Sequence, residues 1–312
     1  MTALAPLAAA RGYLDTATCG LPLAASLVAL EQHVALWRDG EGSLPVFHEP
    51  VERSRELFAG LVGAPVSSVA VGSHASVAVG TVAASLPAGM RVVLVEDDFT
   101  SLLWPFLVRP DLRCTLVPLP DLADAVARGT DWVAVSTVQS RDGAVADLPA
   151  LRAAADSTDA KVLLDATQSA GWLPLDAREW EVVVVTAYKW LLSPRGTAFT
   201  VVRPDLLDDL HPGAAGWYAS DEPAPFYGGP VRLADSARRL DVSPAWPCWA
   251  GTAPALELLA DLGVERVRRH DVGLADALRA RLDLPPSDSA VVSLDADVAA
   301  LRAAGVRCSG RG

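Results

Sequence analysis

Apolar residues along this chain keep two rhythms. Through the first two thirds they gather into short unbroken runs, each followed by a longer stretch with helical spacing. VAVG (69–72) leads into ASVAVGTVAASL (75–86), and RVVLVE (91–96) leads into FTSLLWPFLV (99–108). DWVAVS (131–136), KVLLDA (161–166) and VVVVTA (182–187) follow, with the helical DLPALRAAAD (147–156) between the first two. TAFTVV (197–202) comes after the turn SPRG (193–196). Runs of Val and Leu without polar alternation predict strands buried on both faces, and the helices between them predict a mainly parallel sheet flanked by helices. Residues 212–230 are rich in Gly and Pro and predict a long functional loop. Beyond Gly251 the rhythm changes: 252–282 is strongly helical, SAVVSL (289–294) predicts a strand and 297–305 a last helix. The expectation is an α/β protein with a large domain over 31–245. A smaller α+β domain is expected from 1–30 together with 246–312.

Composition narrows the class. Hydrophobic residues make up 51% of 312 and mean hydropathy is +0.27, yet no apolar run is long enough to span a bilayer. A net charge of −12 argues against a nucleic-acid partner and fits a soluble surface. The opening MTALAPLAAARGYLD has no basic region before its Ala/Leu run, so it is expected to be an ordered or frayed start rather than a signal peptide. Four cysteines and five histidines are scattered without zinc spacing, and a core-rich chain of this size does not call for a disulfide framework. A cytoplasmic protein without a metal is the expectation.

Chemistry enters with lysine. Of the 26 lysines and arginines, only Lys161 and Lys189 are lysine. Lysine can lose its proton when desolvated and attack a carbonyl, and arginine cannot. Lys189 stands where the buried run VVVVTA ends. Asp165 ends KVLLD, and the stretch Gly72-Ser73-His74-Ala75-Ser76 joins the strand VAV to a helix. Ligands of such sheets sit beyond the carboxyl ends of the strands. A lysine, an aspartate and a small-residue helix start together suit pyridoxal 5'-phosphate. The lysine bonds the aldehyde, the aspartate keeps a pyridine nitrogen protonated, and the helix start offers amides to a phosphate. Taken singly, Asp165 fits an N-cap and GSHAS an ordinary capped helix start. No G-x-S-x-G elbow, Walker A loop or usable G-x-G-x-x-G competes.

The set GSHAS, EDDFTSLLWPF, STVQSRDG, DATQSAG, TAYKW and WAGT, in this order, resembles the class V aminotransferase family of pyridoxal-phosphate enzymes. That family includes cysteine desulfurases, kynureninases and related lyases. The resemblance runs from YLDTATCGLP to the end and implies the type I fold of such enzymes. With RRLDVSPAW and GVRCSGRG added, the texture is most similar to the branch of hercynylcysteine sulfoxide lyases of the ergothioneine pathway.

The resemblance also implies roles. Lys189 would carry the cofactor, Asp165 would face its ring nitrogen, and Gln168 would donate its amide to the phenolic oxygen. Phe99 would stack on the ring or simply pack in the core. Ser73, His74 and Ala75 would cradle the phosphate, joined by the hydroxyls of Thr186 and Tyr188. Gln139 aligns with a polar residue near the cofactor oxygen. Gly251 and Thr252 would reach the phosphate of a neighbouring subunit, which implies a homodimer with shared sites. Trp217 would line the substrate pocket or anchor its loop, and Arg195 would fix the SPRG turn or a main-chain carbonyl. Family members continue past GVRCSGRG to an arginine that clamps the substrate carboxylate. The resemblance therefore implies a C-terminally truncated member, with Arg307 and Arg311 just short of that clamp. Cys308 is expected to be a buried strand thiol rather than a persulfide carrier. The expected activity is β-elimination across a carbon–sulfur bond. A desulfurase, another class V lyase or epimerase, or a degenerate scaffold are the alternatives.

Overall fold

The unbroken apolar runs pair with one another. In the computed structural model, which describes residues 11–220 and 226–310, seven strands form one sheet. They are β1 (Val69–Gly72), β2 (Arg91–Val95), β3 (Arg113–Val117), β4 (Trp132–Ser136), β5 (Lys161–Asp165), β6 (Val182–Thr186) and β7 (Ala198–Val202). Their spatial order is β1-β7-β6-β5-β4-β2-β3. The five strands from β6 to β3 run parallel, while β7 and β1 are each antiparallel to their neighbours. The mainly parallel sheet therefore has a mixed edge. SPRG turns the chain straight back from β6 into β7, a connection too short for a parallel crossover.

Successive strand residues point to opposite faces, so each valine run feeds two cores. Val183 and Val185 of β6 join Val135, Leu164 and Phe199 beneath α2 (Leu44–Leu61), α6 (Leu148–Thr158) and α7 (Trp246–Leu262). Val182 and Val184 face the other way, toward Val79 and Val82 of α3 (Ala75–Ser85) and Leu102 and Phe106 of α4 (Thr100–Leu107). Phe58 of α2 stacks on Phe199 of β7 with ring centroids 4.1 Å apart. Fully burying one such side chain contributes about 1.5–3 kcal/mol, more than the few tenths that separate most helix propensities. Packing, not propensity, therefore docks these helices.

Register sets up the site. Ser136 of β4 lies opposite Asp165 of β5, and Asp165 lies opposite Val184 of β6. The polar ends of β4, β5 and β6 thus stand side by side at the carboxyl edge of the sheet.

Two expectations change. The helical stretch 252–282 is two helices, because Gly263 at φ 75° separates α7 from α8 (Val264–Arg281). SAVVSL does not form a strand: it has no ladder partner among the described residues. Instead the Arg279 guanidinium donates to the carbonyls of Ser289 (2.9 Å) and Val291 (2.6 Å). An apolar run becomes a strand only where another strand can pair with it. Part of the 212–230 loop, residues 221–225, lies outside the described residues, as do residues 1–10 of the chain start. No described helix is long and apolar enough to cross a membrane.

Candidate functional site

At the carboxyl edge of β4–β6 opens a cavity of about 210 Å³. Its wall brings together His74, Ala75, Phe99, Asp165, Gln168, Thr186, Tyr188 and Lys189, which are distant in sequence. Ser76, Ser101, Ser136, Ser140, Thr167 and Arg195 complete it.

Lys189 sits just past the end of β6 and is 5% exposed. Its Nζ lies 5.4 Å from the centroid of the Phe99 ring and 6.0 Å from that of Tyr188. Asp165, the last residue of β5, is 4% exposed and accepts a hydrogen bond at Oδ1 from the Thr167 amide (2.9 Å). Burial pushes its carboxyl above the usual carboxylate range. The hydrogen bonds from Thr167 and the charge of Lys189 pull the other way, and the nearby charge of Asp98 adds to the rise. A carboxylate held this way gains from a cationic ring nitrogen beside it.

The residues expected to cradle a phosphate come from the end of β1 and the start of α3. The strand ends at Gly72, His74 is the N-cap residue in extended conformation, and α3 runs for 11 residues from Ala75. His74 and Ala75 line the cavity, and Ser73 precedes them outside its wall. The Thr186 hydroxyl donates to the Thr167 hydroxyl (3.2 Å) at the cavity floor.

Gln168 is more committed than expected. Its Nε2 donates to the Ala17 carbonyl (2.9 Å) and to Ser140 Oγ (3.1 Å), while its Oε1 accepts from Trp190 Nε1 (2.9 Å). Both amide protons are thus engaged, and a cofactor oxygen would have to replace one of those acceptors. The segment 13–20 crosses the site at this point. The Gly20 amide donates to the Tyr188 carbonyl (2.8 Å), and a Cβ on Gly20 would run into the Lys189 carbonyl. Thr18 and Asp15 both bond Ser309, and Leu14 bonds Arg307, so this strap also holds the C-terminal segment.

Gln139 does not reach the cavity wall. Its Nε2 donates to Asp98 Oδ2 (3.1 Å). Asp98 is the residue that sequence reasoning missed. It is 6% exposed and accepts from the Ser136 amide (2.8 Å), the Ser136 hydroxyl (2.5 Å) and the Phe99 amide (2.6 Å). It thereby fixes the backbone from which the Phe99 ring, 43% exposed, walls the site. A second carboxylate three residues past the run RVVLV, at a strand's carboxyl end, was the available signal.

Other expected residues lie elsewhere. Gly251 and Thr252 are inside α7, where Gly251 packs on Pro194 and Leu30. Thr252 is wholly buried, its hydroxyl donating to the Cys248 carbonyl (2.9 Å). A hydroxyl enclosed in its own chain is closed to a second subunit's phosphate. Trp217 stacks on His48 (5.5 Å) and faces Phe226 (5.6 Å), so it anchors its loop away from the cavity. Cys308 is partly buried beside the bridge between Tyr13 and Arg307. Arg311 lies outside the described residues. Among the described residues no group of His, Cys, Asp and Glu could hold a metal.

The donor set fits pyridoxal phosphate. An enclosed lysine, a buried carboxylate, an aromatic wall and a helix start face one cavity at the carboxyl edge of a parallel sheet.

Comparison with known proteins agrees with this geometry. A sequence profile described as aminotransferase class-V matches residues 43–300. The chain is 32% identical to an uncharacterized aminotransferase, YcbU, of Bacillus subtilis, over 71% of this chain and 62% of that protein. It is 28% identical to a probable cysteine desulfurase of Aeropyrum pernix, over 70% and 58% respectively. The chain therefore spans about three-fifths of the curated relatives it matches. Among solved structures, the cystine C-S lyase C-DES in complex with cysteine persulfide superposes with a TM-score of 0.76 and 21% identity. That superposition covers 86% of this chain and 77% of the lyase, and it speaks for a shared fold.

Proposed function

The chain belongs to the aminotransferase class-V family, and from that premise we propose that it breaks a carbon–sulfur bond in a cysteine-derived substrate. The family consists of pyridoxal-phosphate-dependent enzymes. The observation that carries the reading is the pairing of a buried lysine with a buried carboxylate in one cavity. Lys189 would hold the cofactor's aldehyde carbon, Asp165 its ring nitrogen, and the start of α3 with Thr186 its phosphate. When bound, the cofactor supplies an electron sink for the negative charge left at the substrate's α-carbon.

The remaining work falls to this chain's own residues. Asp165, with a carboxyl that burial biases toward the proton, is suited to share one with a ring nitrogen. Lys189 Nζ is the base within reach of an α-proton once the substrate amine replaces it. Phe99 and Tyr188 present their rings to Lys189 Nζ, and the strap 13–20 holds the backbone beside it through the Gly20 amide and the Tyr188 carbonyl. Loss of the α-proton then expels the sulfur from the β-carbon.

The substrate we propose is hercynylcysteine sulfoxide. The motifs EDDFTSLLWPF, RRLDVSPAW and GVRCSGRG support that branch, and a sulfoxide leaves more readily than a thioether. A second reading, cysteine desulfurase, is supported by the Aeropyrum relative's name. None of the four cysteines lines the cavity, and the chain spans only part of that relative's length, so the products formed decide between the two readings. We also propose a homodimer, because Trp104, Val108 and Tyr227 leave apolar surface for a second copy. Incubation of the loaded protein with the sulfoxide and a thiol reductant should give ergothioneine, pyruvate and ammonia. Alanine and persulfide from L-cysteine, with no turnover of the sulfoxide, would favour the desulfurase instead.

A further inference from the structure

We infer that Trp190 positions Gln168, turning the N–H end of its side-chain amide toward the cavity, an inference that rests on the site reading just proposed. Gln168 lines the cavity with Lys189 and Asp165, while Trp190, the residue after the lysine, is not part of that wall. Trp190 therefore acts on the site through its neighbour.

The turn that bears Gln168 is packed against the one that bears Lys189. Trp172 Nε1 donates to the Gln168 carbonyl (2.7 Å), which holds the backbone. Trp190 Nε1 donates to Gln168 Oε1 (2.9 Å), which holds the side chain. The two indole rings lie near each other, with centroids 5.8 Å apart. Gly171, at φ 102°, lets the turns close, since a Cβ there would stand 3.2 Å from the Trp190 carbonyl.

An indole nitrogen can donate a hydrogen bond but not accept one. It therefore fixes which end of the amide faces it: Oε1 turns to Trp190, and Nε2 turns to Ser140 and Ala17. Were the amide reversed, N–H would face N–H at Trp190 and oxygen would face oxygen at the Ala17 carbonyl. Both bonds would be lost in a side chain that is 3% exposed. The wall thus offers a ligand a donor at this point, not an acceptor. On pyridoxal phosphate the acceptor that suits it is the phenolic oxygen beside the aldehyde carbon, since Asp165 and the start of α3 serve the ring nitrogen and the phosphate. That oxygen would replace Ser140 or Ala17 as acceptor while Trp190 keeps Oε1 turned away. A bond donated to it favours its anionic form.

The test uses the full chain, stripped of cofactor and titrated with pyridoxal phosphate and with 3-deoxypyridoxal phosphate, which lacks the phenolic oxygen. Equilibrium dialysis gives both dissociation constants, and the pH midpoint of the bound pyridoxal phosphate absorbance reports how well the anionic form is held. Trp190→Phe keeps a ring and removes the N–H. It should weaken pyridoxal phosphate about threefold to tenfold, the worth of one hydrogen bond, and raise the midpoint. Binding of the deoxy compound should stay within about twofold. Beside Gln168→Ala, Trp190→Phe should change neither the affinity nor the midpoint. Equal losses for both compounds, or a loss that persists beside Gln168→Ala, would make Trp190 a packing residue and overturn the inference. So would wild-type affinity and midpoint in Trp190→Phe. Where Trp190→Phe fails to fold, Gln168→Glu decides, because it keeps an acceptor for the indole and puts an anion where the donor stood. It should weaken pyridoxal phosphate more than the deoxy compound, and equal effects on the two would overturn the inference. A wild type that takes up neither compound overturns the site reading itself.

Discussion

Asp165 carries an electrostatic load in the cofactor-free protein. Its carboxyl is 4% exposed and burial raises its pKa, so ionisation is harder in the folded chain than in the unfolded one. A raised folded pKa gives a stability contribution that is full below the ordinary carboxylate range and lost as pH climbs through the raised value. Asp165→Asn removes that loss while Asn Oδ1 keeps the bond from the Thr167 amide. Cofactor-free Asp165→Asn should therefore melt above wild type at neutral pH, and the two should converge near about pH 4. Thermal melts across pH check this; a variant less stable at pH 7 would show that the charge is fully compensated within the chain. Lys189 and Asp165 were legible because valine runs delivered them to strand ends in a chain with two lysines. The commitments of Gln168 were not legible, since its partners Ala17 and Trp190 reach it only through folding.

At the scale of elements, the edge strand that leads into α3 is sealed by a buried ion pair. On β1, the Val69 carbonyl accepts from Arg55 Nη1 (2.6 Å), and the Val71 amide donates to Asp241 Oδ1 (2.7 Å). Arg55 and Asp241 bond each other at 2.6 Å, both almost fully buried, so side chains occupy the place of a further strand. Glu52 joins through Arg55 and Arg238. Removing one member leaves a buried charge alone: Arg55→Met should cost about 3–5 kcal/mol, and Arg55→Met with Asp241→Leu should recover part of it. Denaturant midpoints decide; equal losses in single and double variants would mean the pair adds nothing as a pair. The strands β4, β5 and β6 were readable because both their faces are buried and their runs are unbroken. β3 was not, since this edge strand is largely exposed and RCTLV mixes polar residues into the run. SAVVSL reads as a strand by composition and fails as one because nothing pairs with it.

For the molecule as a whole, topology does the gathering. Parallel strands β2, β4, β5 and β6 end on one edge, and there Asp98, Ser136, Asp165 and Thr186 meet although 88 residues separate the first from the last. The strap 13–20 then braces Gln168 and Tyr188 from the far end of the chain, through contacts that no local pattern announces. Lys161, the other lysine, opens β5 at the opposite edge, where it bonds Asp209 at 3.0 Å and lies over Trp132. The sheet therefore separates the lysine of the cavity from one paired with Asp209. Borohydride reduction of the protein loaded with pyridoxal phosphate, followed by peptide mapping, tests this most directly. The cofactor's mass should appear on the peptide containing Lys189 and not on that containing Lys161. A label on Lys161, or none on either, would contradict the account.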